Sequence, residues 1–340
     1  MKTEHTIWES LIEIARWSPS PHNIQPWRVR ILSDRRAELY YDHRRLLPDT
    51  DPTSCFTILG LGMFIECMNI AAAEHGFAVH PEHESEPRLD QSAKVPKLFA
   101  TLSLVEIENG TTIYDPALIL KRKTSRLPYD GKSVADDVLQ SLSRLSASAG
   151  HSFEYTSEAG TVDFIIDLNR ETLFLDLDDD IGRKELSKWI RVSPQEAARK
   201  RDGLWSKCMR FPGWLMNNFF FHHERFRNPL LRRILGKVYS RSMRGSSTVA
   251  WLTGKFEDRI DWLRAGILLQ RLWLEMTKHD VYLHPFGSVV TNKIAHKKFI
   301  EQMKIDESDQ KLWLLMRLGY SKEPPRSYRL STQEILLSDL

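Results

Sequence analysis

The chain has 340 residues, 41% of them hydrophobic and 27% charged, with no low-complexity tract. That is ordinary globular usage, which excludes disorder and collagen-like repeats, and the length suits two packed modules or one large domain with insertions. Lys and Arg number 48 against 45 Asp and Glu, a formal charge of +3, which is too small an excess to argue for nucleic acid. Cys55, Cys67 and Cys208 include no CxxC pair and fit reduced thiols. Acidic Glu4 and Glu9, with no apolar run after a basic start, are unlike a signal peptide and give a cytoplasmic expectation.

In chain order, Ile7, Leu11, Ile14 and Ala15 fall at helical spacing, and the chain then breaks at Ser18-Pro-Ser-Pro21. Trp27–Leu32 and Glu38–Tyr41 read as a hairpin about Ser33–Arg36. The most apolar stretch, Cys55–Ala73, contains Glu66 and Asn69 and reads as a buried helix rather than a membrane span, entered through Asp51-Pro52 as cap and first turn and ended at Gly76. Phe99–Ile107 reads as a strand. A second series starts near Ile113, followed by helices over Val134–Ser146, Val162–Leu175 and Arg183–Ile190, the last behind the acidic turn Asp176–Asp180. From Pro194 to Ser247 the pattern is irregular, aromatic and basic. Asp258–Lys278 predicts a strong helix, Val281–Leu283 a short strand, His284–Gly287 a turn and Lys311–Leu318 a buried strand. Strands interleaved with long helices predict an α+β chain of two halves, with a long insertion in the second.

Several motif matches fail on their spacing. Gly60-Leu-Gly62 lies inside the apolar helix rather than between strand and helix, so it is no dinucleotide loop. Asp176, Asp178 and Asp180 start like a calcium loop, but Ile181 and Ser187 stand where Gly and Glu are needed. His80, His83 and the pair His222-His223 lack ligand spacing, so no metal site is expected. GxSxG and P-loop motifs are absent from the sequence.

Two segments carry chemistry. In Ser18–Arg28, prolines at 19, 21 and 26 hold the chain extended while Ser20, His22, Asn23 and Gln25 offer donors and acceptors suited to a planar heterocycle. A loop that only joins helix to strand would read the same. Arg122-Lys-Thr-Ser-Arg126 sets guanidiniums at i and i+4 with hydroxyls between, a fork for a phosphate dianion. A solvated run of charge at a helix end would look alike. In the insertion, the aromatic run Phe211–Phe221 precedes Arg225, Arg227, Arg232, Arg233, Lys237, Arg241 and Arg244. The expectation is an apolar lid that buries the aromatics and leaves the arginines wet, rather than a segment lying on an anionic membrane. His22 is the most tempting proton donor, and a histidine satisfied by its neighbours is the plainer expectation.

Together these segments resemble the nitroreductase superfamily of FMN-dependent oxidoreductases. Pro19, Ser20, Asn23, Gln25, Pro26 and Trp27 match its PSxxNxQPW flavin loop, and Arg122, Thr124 and Arg126 match its RxSxR phosphate segment, with Thr in the Ser place. Arg329, with Arg326 nearby, is a partial counterpart of its carboxy-terminal basic pair, and His284–Gly287 corresponds loosely to a turn near the flavin. Asp261–Gly266 and Leu318–Tyr320 look like the fused subfamily related to the mycobacterial Acg proteins.

The resemblance implies a nitroreductase-like α+β fold with two related modules, 1–112 and 113–340, forming a pseudo-dimer, and a lid-like insertion at about 194–247. It implies FMN held by Ser20, Asn23, Gln25, Arg122, Thr124, Arg126 and Arg329, one per chain, because the two motifs fall in different halves. NADH or NADPH is the implied electron donor and an apolar or aromatic small molecule the implied substrate, with no nucleic acid or membrane partner, in a monomer or homodimer. The flavin carries the chemistry, so no catalytic acid or base is named. A protein that sequesters FMN or senses redox state without efficient turnover would need the same binding residues.

Overall fold

The computed structural model describes residues 7–83, 88–107 and 114–337, the side chain of Arg227 excepted. Glu4 and Ile113 lie outside them.

Helix α1 (Ile7–Ala15) buries Trp8, Leu11, Ile12 and Ala15. Strands β1 (Trp27–Ser33) and β2 (Arg36–Tyr41) form the expected antiparallel hairpin. Helix α2 (Cys55–Ala73) is long and apolar enough to cross a bilayer, but it is almost wholly buried in protein. Asp51 caps it from outside rather than within a first turn with Pro52: Ser54 holds the cap position at φ 64°, and the Asp51 carboxylate accepts the N–H of Thr57 at 2.8 Å and of Phe56 at 3.3 Å. Strands β3 (Phe77–His83) and β4 (Lys97–Glu106) complete a four-stranded antiparallel sheet of order β1-β2-β4-β3.

The chain continues through α3 (Ala117–Lys121), α4 (Asp136–Ser148), β5 (His151–Thr156), α5 (Ala159–Asp178) and α6 (Asp180–Ser187). The insertion, expected to be irregular, is mostly helical. It holds the short parallel pair β6 (Ile190–Arg191) and β7 (Leu204–Trp205) with α7 (Pro194–Lys200), α8 (Ser206–Met209), α9 (Gly213–Phe221) and α10 (Pro229–Ser242). Pro194 and Pro229 stand at helix starts, where a missing N–H costs nothing. Ser193 and Asn228 cap those starts by accepting the N–H of Glu196 at 3.1 Å and of Leu230 at 2.9 Å. Strand β8 (Thr248–Gly254), helix α11 (Arg259–Lys278), β9 (Tyr282–Pro285), α12 (Gly287–Thr291), α13 (Lys293–Met303), β10 (Lys311–Gly319) and α14 (Thr332–Ile335) follow. The expected turn at His284–Gly287 is the end of β9 and the start of α12.

The second sheet is also four-stranded and antiparallel, in the order β5-β8-β10-β9. Each half thus runs strand, strand, long helix, strand, strand, and in each sheet the fourth strand lies between the second and third. The long helices α2 and α11 face each other in a reciprocal contact. A Cβ built on Gly62 would stand 2.3 Å from the Leu263 carbonyl oxygen, and one on Gly266 would stand 2.1 Å from that of Leu59. The carboxy-terminal segment crosses back to the first sheet, where Leu337 N–H donates to Val29 O at 2.8 Å beside β1.

Candidate functional site

The loop between α1 and β1 carries the strain that marks a constrained site. His22, Asn23 and Gln25 all sit in the left-handed region, at φ 47°, 57° and 51°, at a cost of roughly 1–2 kcal/mol each for residues with a Cβ. Pro21 starts a single 3-10 turn, and the loop rests on α2 at Gly60, where a Cβ would meet Pro21 Cδ at 3.4 Å.

Hydrogen bonds from distant segments hold this shape. Ser20 Oγ accepts the Gln25 N–H at 2.9 Å. The Asn23 amide donates to Gly203 O at 3.1 Å and Tyr328 O at 3.2 Å, while its buried Oδ1 has no partner among the described residues. Gln25 donates to Arg201 O at 2.9 Å and to Asn23 O at 3.4 Å, and its Oε1 accepts the Leu330 N–H at 2.8 Å. Both ends of the Gln25 amide are thus engaged by backbone, which ties the loop to the segments at Arg201 and Leu330.

Beside the loop lies a group of arginines. Arg122 is buried, donates to Trp17 O at 2.9 Å and lies 4.4 Å over the Trp273 ring, with its Nε unpartnered. Burial, then the nearby Arg326, push its pKa down to about 10. Arg326 lies 3.7 Å over the Trp17 ring with Nη2 unpartnered, and burial followed by the Arg16 charge take it to about 10. Arg329 is pushed down to about 9, by burial and then by Arg122 and Arg326, and its Nε is unpartnered. Arg126, half-buried beside Cys208, Tyr239 and Tyr129, has no hydrogen bond or ion pair among the described residues, and burial lowers its pKa. Among the described residues none of these four pairs with a carboxylate; Glu323 approaches Arg326 but is held by Lys123, and Glu13 is held by Arg16.

Thr124 stands between the arginines, its backbone bridged to Leu283 and its hydroxyl without a protein partner among the described residues. His22 is not the satisfied loop histidine of the sequence reading, for its ring makes no hydrogen bond among the described residues. Burial, then Arg126, lower its pKa to about 4, so it is neutral near pH 7. The structure thus brings Ser20, Asn23, Arg122, Thr124, Arg126 and Arg329 into one neighbourhood, with Gln25 bracing it.

Some of the neighbourhood gave no sequence signal. Residues 201–205 reach the loop, through the Gly203 N–H on Asn23 O at 3.1 Å and the Trp205 ring 5.4 Å from Tyr328. Cys208 and Tyr239 of α10 stand against Arg126. Fully buried Arg317 donates to His284 Nδ1 at 3.2 Å, Leu127 O at 2.9 Å and Ser246 Oγ at 3.0 Å, and covers the Tyr129 ring at 4.2 Å. Burial, with Arg317 and Arg126, holds His284 neutral. A lone arginine in the apolar strand Leu312–Leu318 is the one signal that could have found this group. Among the described residues no three His, Cys, Asp or Glu side chains gather to hold a metal.

Cations gathered without counter-ions in a low-dielectric wall are costly until an anion joins them. Fold and site together define an α+β protein with a largely buried group of arginines, under-partnered among the described residues, suited to a phosphate-bearing ligand.

Similarity to known proteins covers part of the chain. Over 121 residues the chain is 31% identical to "Putative NAD(P)H nitroreductase acg" of Mycobacterium tuberculosis, from strains CDC 1551 / Oshkosh and H37Rv, covering 36% of this chain and 35% of that protein. The chain thus resembles the nitroreductase superfamily and the mycobacterial Acg protein, matching about a third of that relative's length. No family profile matches the chain. Solved structures with some likeness include the FMN-dependent nitroreductase NfnB of Mycobacterium smegmatis in complex with NADPH, at 16% identity over 62% of this chain and 92% of that one, TM-score 0.37. Another is the FMN and NADPH-dependent NfnB of Sphigopyxis sp. strain HMH, at 12% identity over 66% and 97%, TM-score 0.39.

Proposed function

We propose that the loop and the arginine group bind FMN, one per chain, and that the protein is an oxidoreductase of nitroreductase type using NADH or NADPH to reduce an apolar or aromatic small molecule. The observation that carries this reading is the gathering of Arg122, Arg126, Arg326 and Arg329, without carboxylates, beside a strained polar loop. The residues fit the group: unpartnered guanidinium nitrogens await acceptors, and the orphaned Asn23 Oδ1 awaits a donor. When bound, the flavin supplies the hydride chemistry.

The chain's own residues bind, orient and exclude water. Arg122, Arg126 and Arg329, with the Thr124 hydroxyl, hold the phosphate. Ser20, whose hydroxyl keeps its hydrogen free, and Asn23 Oδ1 meet the ring, and Gln25 fixes the loop. Neutral His22 and His284 hold no proton to give near pH 7, so the required proton comes from solvent or a hydroxyl. We further propose that residues 1–112 and 113–340 are related modules packed as a pseudo-dimer. The shared strand order and the Gly62–Leu263 and Gly266–Leu59 contacts support it.

Fluorescence titration tests the binding. FMN should bind at one per chain and at least about 30-fold more tightly than riboflavin, the factor set by roughly 2 kcal/mol of charge-assisted phosphate contact. Failure to take up FMN overturns the reading. Anaerobic addition of NADH or NADPH should bleach the flavin, and a loaded protein that stays yellow would be an FMN-holding protein without turnover.

A further inference from the structure

The insertion presents a face that the candidate site does not use. Helix α10 turns Leu235 and Gly236 inward and Tyr239 toward Arg126 and Arg317. On its other side Leu230, Leu231, Ile234 and Val238 are exposed, Leu230 by 64% and Ile234 by 51%. Their spacing of i, i+1, i+4 and i+8 makes one stripe about 100° wide. Arg233, Lys237 and Arg241 line one edge of the stripe, all exposed and without an ion pair among the described residues. Among the described basic side chains of the helix, Arg232 alone is paired, with Asp178. On α9 the aromatics expected to be buried divide: Met216 and Phe219 point inward, whereas Trp214 and Phe221, seven residues apart, are exposed by 69% and 49%.

Contiguous exposed aliphatic side chains rimmed by charge mark interaction surfaces, and the border of this stripe identifies what covers it. A second copy would set Arg233, Lys237 and Arg241 against themselves. Nucleic acid would meet the cations but leave the aliphatics wet. An anionic bilayer satisfies both, taking the aliphatic side chains at the acyl boundary and the cations at its phosphates.

We propose that α10 docks the protein on the surface of a membrane carrying anionic lipid. The proposed contact is peripheral, since among the described residues the one bilayer-length apolar helix is buried. It reverses the expectation of no membrane contact and does not depend on FMN. Tyr239, on the inward side of the same helix, links the docked face to Arg126 and Arg317.

The test is flotation of the full chain with phosphatidylcholine vesicles, with and without phosphatidylglycerol, in low and high salt. Binding is expected to the anionic vesicles alone and to weaken as salt rises. Arg233→Ala, Lys237→Ala and Arg241→Ala should each reduce it about fivefold. The double variant Ile234→Asp with Val238→Asp should abolish it, with an unchanged circular dichroism spectrum because both sites are exposed. Absence of binding, equal binding to neutral vesicles, or binding that survives the double variant would overturn the proposal. So would a concentration-dependent dimer in sedimentation that the double variant dissolves, which would assign the face to a second copy.

Discussion

Buried arginines occur in two settings in this molecule. Around the loop's supports they are paired: Arg28 donates to Asp42 at 2.8 Å, and Asp202 accepts from both Arg191 Nε and Arg45 Nη1 at 3.0 Å. Beside the loop, Arg122, Arg126, Arg326 and Arg329 have no carboxylate partner among the described residues, and burial leads the lowering of their pKa values as it does for paired Arg28. On the proposed reading the same side chain is a structural tie where its counter-ion is built in, and a receptor where the counter-ion must arrive. The difference is legible only from what stands beside each guanidinium, since the residue type is the same.

The sharpest break in that contrast is Asp202→Ala. It strands Arg191 in the interior and releases Arg45, so stability to urea should fall by about 3–5 kcal/mol. Arg126→Ala should behave in the opposite way, weakening FMN by about 2–4 kcal/mol while the ligand-free protein loses less than about 1 kcal/mol. If ligand-free stability instead fell as far as for Asp202→Ala, Arg126 would be a structural tie and the contrast would fail.

The smallest effect belongs to His22. Its folded pKa of about 4 lies below the ordinary 6.5, so between those values the unfolded chain binds more protons. Its contribution is intact above pH 6.5 and is lost as pH falls toward 4. His22→Gln should flatten the stability curve in that window by about 1 kcal/mol, a figure reduced for the ring's partial exposure. His284, also held neutral, keeps the remaining slope. An unchanged curve would mean that burial and Arg126 do not hold this ring neutral.

Much of the site was legible because the two motifs have unusual residues in close order: three prolines around polar side chains, and arginines at i and i+4. What the sequence could not specify was the partner. Gln25 reads like its neighbours, and only the backbone at Arg201 and Leu330 makes it a brace. The core elements α2, α11 and β10 were visible through long apolar runs. Strand β3 was hidden by Pro81 and its histidines, and β5 by its short polar alternation. In the insertion, Pro194 and Pro229 look like breakers until Ser193 and Asn228 are seen to cap the helices they begin. The stripe on α10 follows from its spacing, but which side faces water is decided by what packs behind it.

The reciprocal glycines of α2 and α11 also limit how the chain can change. One residue inserted ahead of Gly62 within α2 would turn the following positions by about 100°, carrying a side chain into the space where Leu263 now offers only a carbonyl oxygen. The same holds for Gly266 against Leu59. Loops can lengthen, as the large excursion between β5 and β8 illustrates, whereas these two helices resemble the halves of a key cut to one another, and neither can be lengthened alone.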